Sequence, residues 1–293
     1  MTRRILLIVS LYLISLVVSA DEHLTARQIM EKMDQQQRDS SDSVLSKSKL
    51  SSCKFAKSEK GIACVDQPRV KLMESVSVQL GETKKDSKAI SILLEPASER
   101  GIGMLTYSYD DETRDTESWL YLSALGKVKR MASGTGEDQE PVSLFGSEFT
   151  TEDMESGKTD EYEYKILKAG PYGKNKVWVI EAIPKPKRLK KTKYSKVLMW
   201  IDQVRFIPLK IQTYDKRGKP YKRSTFKQFE KINDLWISRD VTIMNLQTKR
   251  LSRMKTSEIA MGVTIHDEFL TQRTLTDFAY REKELNVLRQ HIQ

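Results

Sequence analysis

Glu148 and Asp153, five positions apart, are the carboxylates best suited to serve as the acid and base of a hydrolase acting on a lipid or glycan. The rest of the catalytic repertoire is thin. The 293 residues include three His, and two of them, His23 and His291, lie near the ends of the mature chain, so imidazole chemistry near neutral pH has little support. No GxSxG elbow, Walker loop or HExxH run occurs, and no Cys and His stand at metal-ligand spacing. Asp110, Asp111, Glu112, Asp115 and Glu117 concentrate negative charge, yet no Gly stands where a tight calcium loop needs one, so they read as a solvated hairpin tip. The expectation is a protein that is not an enzyme and uses neither cofactor nor metal.

Two further features carry chemistry of another kind. Arg3 and Arg4 precede a 14-residue apolar run, Ile5 to Val18, and Val18 and Ala20 stand where a signal peptidase reads. Residues 1–20 are therefore expected to be an export signal cleaved after Ala20, and the run is shorter than the roughly 20 residues that span a bilayer. In an oxidising compartment Cys53 and Cys64 are expected to pair, stapling a local loop at about 2–3 kcal/mol. The other feature is the run from Lys185 to Lys196, with seven cations in twelve positions. Lys185, Lys187, Arg188, Lys190, Lys191 and Lys193 offer a dock for an anionic membrane surface or an acidic partner, or else form a hydrated, self-repelling loop. The formal net charge of +10 becomes +8 without Arg3 and Arg4, and an exported protein of this charge meets lipid headgroups rather than nucleic acid.

The elements that position these residues are mostly strands. Residues 24–38 place Leu24, Ile29, Met30 and Met33 on one stripe of a short amphipathic helix. Alternating runs then recur at hairpin spacing, at 103–109, 118–124, 161–167, 176–183, 195–202, 208–214, 221–229 and 235–246. With weaker runs counted, eleven to thirteen strands are expected, in sequential order, with turns at Leu125-Gly126, Asp215 to Gly218 and Lys231 to Asp234. No linker or repeat interrupts residues 40–275. Residues 21–275 therefore read as one domain, and 276–293 as a helical tail that docks loosely or frays.

A sheet of this size must curl, because strand twist accumulates, and curling makes an inside. Charged residues mark the outer face. Tyr162, Tyr164 and Ile166 oppose Glu161, Glu163 and Lys165; Trp178 and Ile180 oppose Glu181; Val197, Met199 and Ile201 oppose Lys196 and Asp202; Leu209 and Ile211 oppose Lys210 and Gln212. The residues expected to face an inner hollow are Met30, Met33, Leu105, Tyr107, Leu120, Leu122, Tyr164, Trp178, Ile180, Met199, Ile201, Leu209 and Ile211. Pattern alone leaves open that these side chains fill their own core. Trp119, Trp178, Trp200 and Trp236 read as core residues rather than ligand stackers.

Several segments, taken in order, resemble the outer-membrane lipoprotein-sorting proteins with the LolA-like fold, in a branch of uncharacterised domains. They are Trp119 to Leu125 followed by Lys127 to Arg130, Gly146 to Phe149 with Glu152 to Met154, Glu181 to Lys185, Trp200 to Asp202 with Pro208 to Lys210, Tyr214 to Lys216 with Gly218, and Asn245 to Thr248. The resemblance covers about residues 90–275; the cysteines and the lysine-rich stretch within 40–70 lie outside its pattern. It implies a mainly β fold with some α, in which a curved antiparallel sheet forms an incomplete barrel covered by an N-terminal helix and short helices. The implied role is a periplasmic carrier holding acyl chains of a lipid or lipoprotein for transfer toward the outer membrane, and the protein is expected to be a monomer. The alternative is a periplasmic interaction subunit of an inner-membrane lipid exporter, its hollow filled by its own side chains. Physical magnitudes fit the first reading: at about 0.8 kcal/mol per methylene, two 16-carbon chains meet a barrier of roughly 25 kcal/mol in crossing water unaided.

Overall fold

The computed structural model describes residues 24–40, 42–59, 61–111, 113–131 and 141–292. The export signal expected over residues 1–20 lies outside them. Helix α1 (Ala26–Ser40) follows the apolar stripe, burying Ile29, Met30 and Met33. Its start is set by a capping box: the Gln28 amide donates to Thr25 Oγ1 at 3.3 Å, and the Thr25 amide donates to Gln28 Oε1 at 2.8 Å.

Fourteen strands are described. The first seven are β1 (Ser43–Ser58), β2 (Gly61–Cys64), β3 (Arg69–Leu80), β4 (Asp86–Glu95), β5 (Gly103–Ser108), β6 (Glu117–Leu122) and β7 (Lys127–Met131). The second seven are β8 (Tyr162–Tyr172), β9 (Asn175–Pro184), β10 (Lys196–Asp202), β11 (Pro208–Tyr214), β12 (Pro220–Ile232), β13 (Leu235–Asn245) and β14 (Arg250–Met261). Helix α2 (Pro186–Lys191) interrupts the second series, and α3 (Gln272–Thr276) and α4 (Phe278–Arg289) follow it. The count exceeds the expected thirteen. Weak alternation hid the first strands: β1 is a 16-residue strand rich in Ser and Lys.

All fourteen strands form one antiparallel sheet in the order β7-β6-β5-β4-β3-β1-β14-β13-β12-β11-β10-β9-β8, with β2 paired to β1. Order is sequential within each arm, as expected, but β1 pairs with β14 along eleven positions, so the first and last long strands meet mid-sheet. The sheet is therefore a meander opened between β7 and β8. Two residues with positive φ, Asn233 and Asp234, turn the chain between β12 and β13, as the twist of a hairpin favours. Cys53 and Cys64 form the expected disulfide, tying β1 to β2.

Both faces of the sheet are covered where β1, β3, β4 and β5 lie. On one face of β1, β3, β4, β5 and β14, Leu45, Val76, Ile90, Ile92 and Leu105 pack with Phe269, Leu270 and Leu275 and with Leu285 and Leu288 of α4. The expectation of a loosely docked tail is thereby corrected: Arg289 donates to Glu74 at 2.9 and 2.6 Å, and that carboxylate is nearly inaccessible to solvent. A charge that deeply buried requires its partner, which anchors α4. On the other face, the concave one, the segment 141–161 crosses from one arm to the other and sinks Val142, Leu144 and Phe149 among Leu50, Met73, Leu93, Met104 and Ile243. Helix α1 covers the rest of that face, resting on Ile180, Ala182, Met199 and Ile201.

Candidate functional site

Between α1 and strands β8–β14 a cavity of about 510 Å³ remains, within the roughly 300–1,000 Å³ of ligand sites. Its floor comes from strand alternation carried across the register. Met199 pairs with Ile211, Ile211 with Ser224, and Ser224 with Ile243, and all four line the cavity. Its roof is the Met30 and Met33 face of α1, and Met adapts readily to apolar contacts of varied shape. Gln36 Nε2 donates to the Trp236 carbonyl at 3.1 Å, fixing the end of the roof over a ring that also lines the cavity.

Helix α1 is tied to segment 141–161 through a buried carboxylate. Asp34 accepts from the Gly157 amide at 2.6 Å and from Arg38 Nε at 2.8 Å. Gly157 has φ +76°, and a Cβ there would meet Lys85 at 3.0 Å, so both backbone and space call for glycine.

The structure divides the residues expected to face the hollow. Met30, Met33, Tyr164, Met199 and Ile211 line the cavity. Trp178, Ile180 and Ile201 lie on the same side but form the packed bed of α1, away from the open volume. Leu209 is displaced: the register shifts between Trp200 and Ile201, and Leu209 packs instead with Val177, Val179 and Ile207. Leu105 and Tyr107 belong to the opposite face, where the Tyr107 hydroxyl donates to the Leu270 carbonyl at 2.6 Å. Leu120 and Leu122 are half-buried on β6 and line no part of the cavity. Phe149 of segment 141–161 and Phe226, Ile243 and Met254 of the sheet also line it. Alternation in 221–229 and 235–246 was the available signal for Phe226 and Ile243; nothing in the sequence marked Phe149.

Of the four tryptophans, Trp178 stacks obliquely on Phe206, and Trp119 meets Tyr107 edge-on beneath the C-terminal helices. Trp200 lies under the Lys210 ammonium, 4.0 Å from the ring centre. Trp236 alone of the four borders the cavity.

The carboxylates singled out as an acid and base hold segment 141–161 to the sheet. Glu148 accepts from Arg250 Nε at 2.8 Å and Asn245 Nδ2 at 3.1 Å. Asp153 accepts from Lys222 Nζ at 2.6 Å and from the Thr150 and Tyr194 hydroxyls. Each carboxylate is thus matched to a cation. Among the described residues, no three His, Cys, Asp or Glu side chains group as a metal site. Asp115, from the acidic hairpin tip, pairs with Lys191 at 3.0 Å.

The basic run also differs from a uniform docking strip. Pro186 opens α2, a position that its fixed φ suits, and the helix turns Arg188 inward. That guanidinium is 8% exposed and faces Glu155 at 2.7 Å, Glu161 at 3.3 Å and Glu152 at 3.5 Å. Arg188 Nε also donates to the Tyr162 hydroxyl at 3.1 Å. Arg188 is therefore a buried clamp, which corrects its assignment as a docking cation. Lys185, Lys187, Lys190, Lys191 and Lys193 surround a second cleft, of about 770 Å³.

Burial pushes the Glu152 carboxyl up from its ordinary 4.5 to about 7, against the pull of Arg188 and a hydrogen bond from Thr192. The folded protein then keeps a proton that the unfolded chain releases near 4.5. Stability therefore falls as pH rises from about 4.5 to about 7, by about 3 kcal/mol, and levels off above. Glu152→Gln is expected to flatten that slope. Urea denaturation of both proteins at pH 5 and pH 8 is the measurement, and parallel pH dependences would refute the assignment.

Comparison with known proteins supports the architecture. A family model described as "Uncharacterized protein" matches residues 85–277, more than half of the chain. No curated protein matches. The chain is similar to a DUF1329 family protein from Desulfovibrio piger, with 22% identity and a TM-score of 0.74 over 85% of this chain and 97% of that one. It is similar to an outer membrane lipoprotein-sorting protein domain from Vibrio parahaemolyticus, with 23% identity and a TM-score of 0.71 over 86% and 98% of the two chains. A LolA superfamily protein from Nitrosomonas europaea shares 18% identity at a TM-score of 0.60, over 85% and 98%. The chain belongs to the family of uncharacterized proteins whose model spans residues 85–277, and its fold is LolA-like.

Proposed function

We propose that this protein is a periplasmic, non-enzymatic carrier that buries acyl chains of a lipid or lipoprotein in the cavity beneath α1, for transfer toward the outer membrane. The observation that carries this reading is the unfilled apolar volume of about 510 Å³ between the sheet and a methionine-lined helix. A space so lined gains about 0.8 kcal/mol for each methylene it takes from water. Such a site competes with a bilayer without far exceeding it, which permits release. The likeness to lipoprotein-sorting structures supports the same reading through the fold.

The direct test is organic extraction of the purified protein followed by mass spectrometry. Lipid at or near one equivalent is expected, and lipid-free protein that takes up none from vesicles would end the proposal. A second reading, an interaction subunit of an inner-membrane lipid exporter, draws on the part of the concave face that segment 141–161 fills. It predicts exporter capture by a protein whose cavity has been blocked.

A further inference from the structure

The strands that floor the cavity have a second face. Met199, Ile211, Ser224 and Ile243 look into the cavity, and the residues that alternate with them look outward. Strand pairing carries one outward row across eight strands, from Ser51 on β1 to Lys168 on β8, and that row holds Arg253 and Lys210. The row on one side of it holds Lys49, Lys255, Asp240 and Lys227. The row on the other side holds Arg223, Glu181 and Lys165. With strands spaced at roughly 4.8 Å, the face extends for about 34 Å along the sheet. The packing beneath α3 and α4 ends on β1 and β14 at Leu45 and Ala260. Beyond it, Lys49, Lys165, Lys168, Lys227, Arg253 and Lys255 are exposed.

The three rows hold eight Lys and Arg against two Asp and Glu. That is an excess of six positive charges, in a chain whose formal net charge is +10. Both carboxylates already have a cation: Asp240 accepts from Arg253 Nε at 2.7 Å, and Glu181 faces Lys196 at 3.6 Å. Extending the count to Lys196 and Glu163, the next outward residues of β10 and β8, adds one charge of each sign. Arg223 donates to the uncharged Gln212, and burial together with the Arg223 charge holds the Lys210 ammonium below its ordinary pKa. Among the described residues, Lys49, Lys165, Lys168, Lys227 and Lys255 meet no carboxylate at ion-pair distance.

These cations line neither cavity, so the face offers an anion no pocket. Charge dispersed over exposed strands matches a fluid layer of anionic headgroups, which rearrange to meet it, better than a folded partner whose carboxylates are fixed. Trp200 and Tyr172, with ring centres 6.5 Å apart, stand toward the β8 end of the face, and such rings favour the headgroup layer.

We propose that the outward face of β1 and β8–β14 docks the protein on a bilayer carrying anionic phospholipid, through Lys49, Lys168, Lys210, Lys227 and Lys255. Docked so, the sheet stands between the bilayer and the cavity. The inference goes beyond the carrier reading and does not depend on what fills the cavity.

The test is co-flotation of the mature protein with vesicles of phosphatidylcholine, alone or mixed with phosphatidylglycerol, at about 0.1 M salt. Binding to the anionic vesicles is expected. Lys49→Gln, Lys227→Gln and Lys255→Gln together are expected to weaken it about a hundredfold, at roughly fivefold per charge. Lys127→Gln, Lys129→Gln and Lys190→Gln, an equal change of charge off this face, should weaken it far less. All six positions are exposed, so both variants should fold, and an unchanged urea midpoint checks it. Equal flotation of the wild type with both kinds of vesicle overturns the proposal, as does undiminished flotation of the first variant. Equal losses in the two variants assign the binding to net charge rather than to this face, and overturn it likewise. Wild-type protein that floats with neither vesicle also overturns it, and retention on immobilised polyglutamate would then identify an acidic protein as the partner.

Discussion

Ile211→Trp is expected to cut bound lipid by about a hundredfold in affinity while leaving the protein folded. Ile211 faces the open volume between Met199 and Ser224, so the indole enters empty space rather than packed neighbours. If the ring excludes about four methylenes, at about 0.8 kcal/mol each, the loss is about 3 kcal/mol. Overpacking is costly only where density is already native-like, and a partly exposed residue at a cavity wall avoids it. The measurement is retention of a fluorescent fatty acid by wild-type and variant protein, with thermal unfolding as the check on fold. Equal retention in a normally folded variant would show that the cavity is not where chains bind.

Removal of Lys222 is expected to be the most damaging single change to stability. Its side chain is 4% exposed and that of Asp153 is 8% exposed, and the ammonium also donates to the Glu148 carbonyl at 3.0 Å. Lys222→Met strands the Asp153 charge in a dry site, which costs about 3–5 kcal/mol. Lys222→Met together with Asp153→Asn should recover much of that, because the stranded charge disappears while an acceptor remains for the Tyr194 hydroxyl. Urea denaturation of the two single variants and the double gives the coupling. Strict additivity would show that the pair does not act as a unit. Lys222→Met should also raise proteolysis within 141–161, since Lys222 joins that segment to β12.

The helix α1, the disulfide and the strands of the second arm were legible because one physical signal spoke for each. Period 3.6 marks Ile29, Met30 and Met33, and period two marks β10, where Val197, Met199 and Ile201 face α1 and Lys196 and Asp202 alternate with them. The first arm lacked such a signal. Ile92 and Met104 are adjacent in sequence to Leu93 and Leu105, and each neighbouring pair points to opposite, equally buried faces. Apolar residues on both faces erase alternation, so Leu105 and Tyr107 could not be assigned to a side before α3 and α4 were seen to cover it.

Local chemistry in the sequence determined which segments curl, where they turn, and that one face of the second arm must be apolar, since these follow from side-chain period and turn propensity. Tertiary structure alone decided that β1 closes on β14, that Leu209 leaves the inner face at a shifted register, and that Arg188 turns inward to three carboxylates. It also decided how much of the concave face segment 141–161 fills and how much stays open. Those outcomes depend on which distant surfaces meet, and a contact between residues a hundred positions apart leaves no periodic trace in either one.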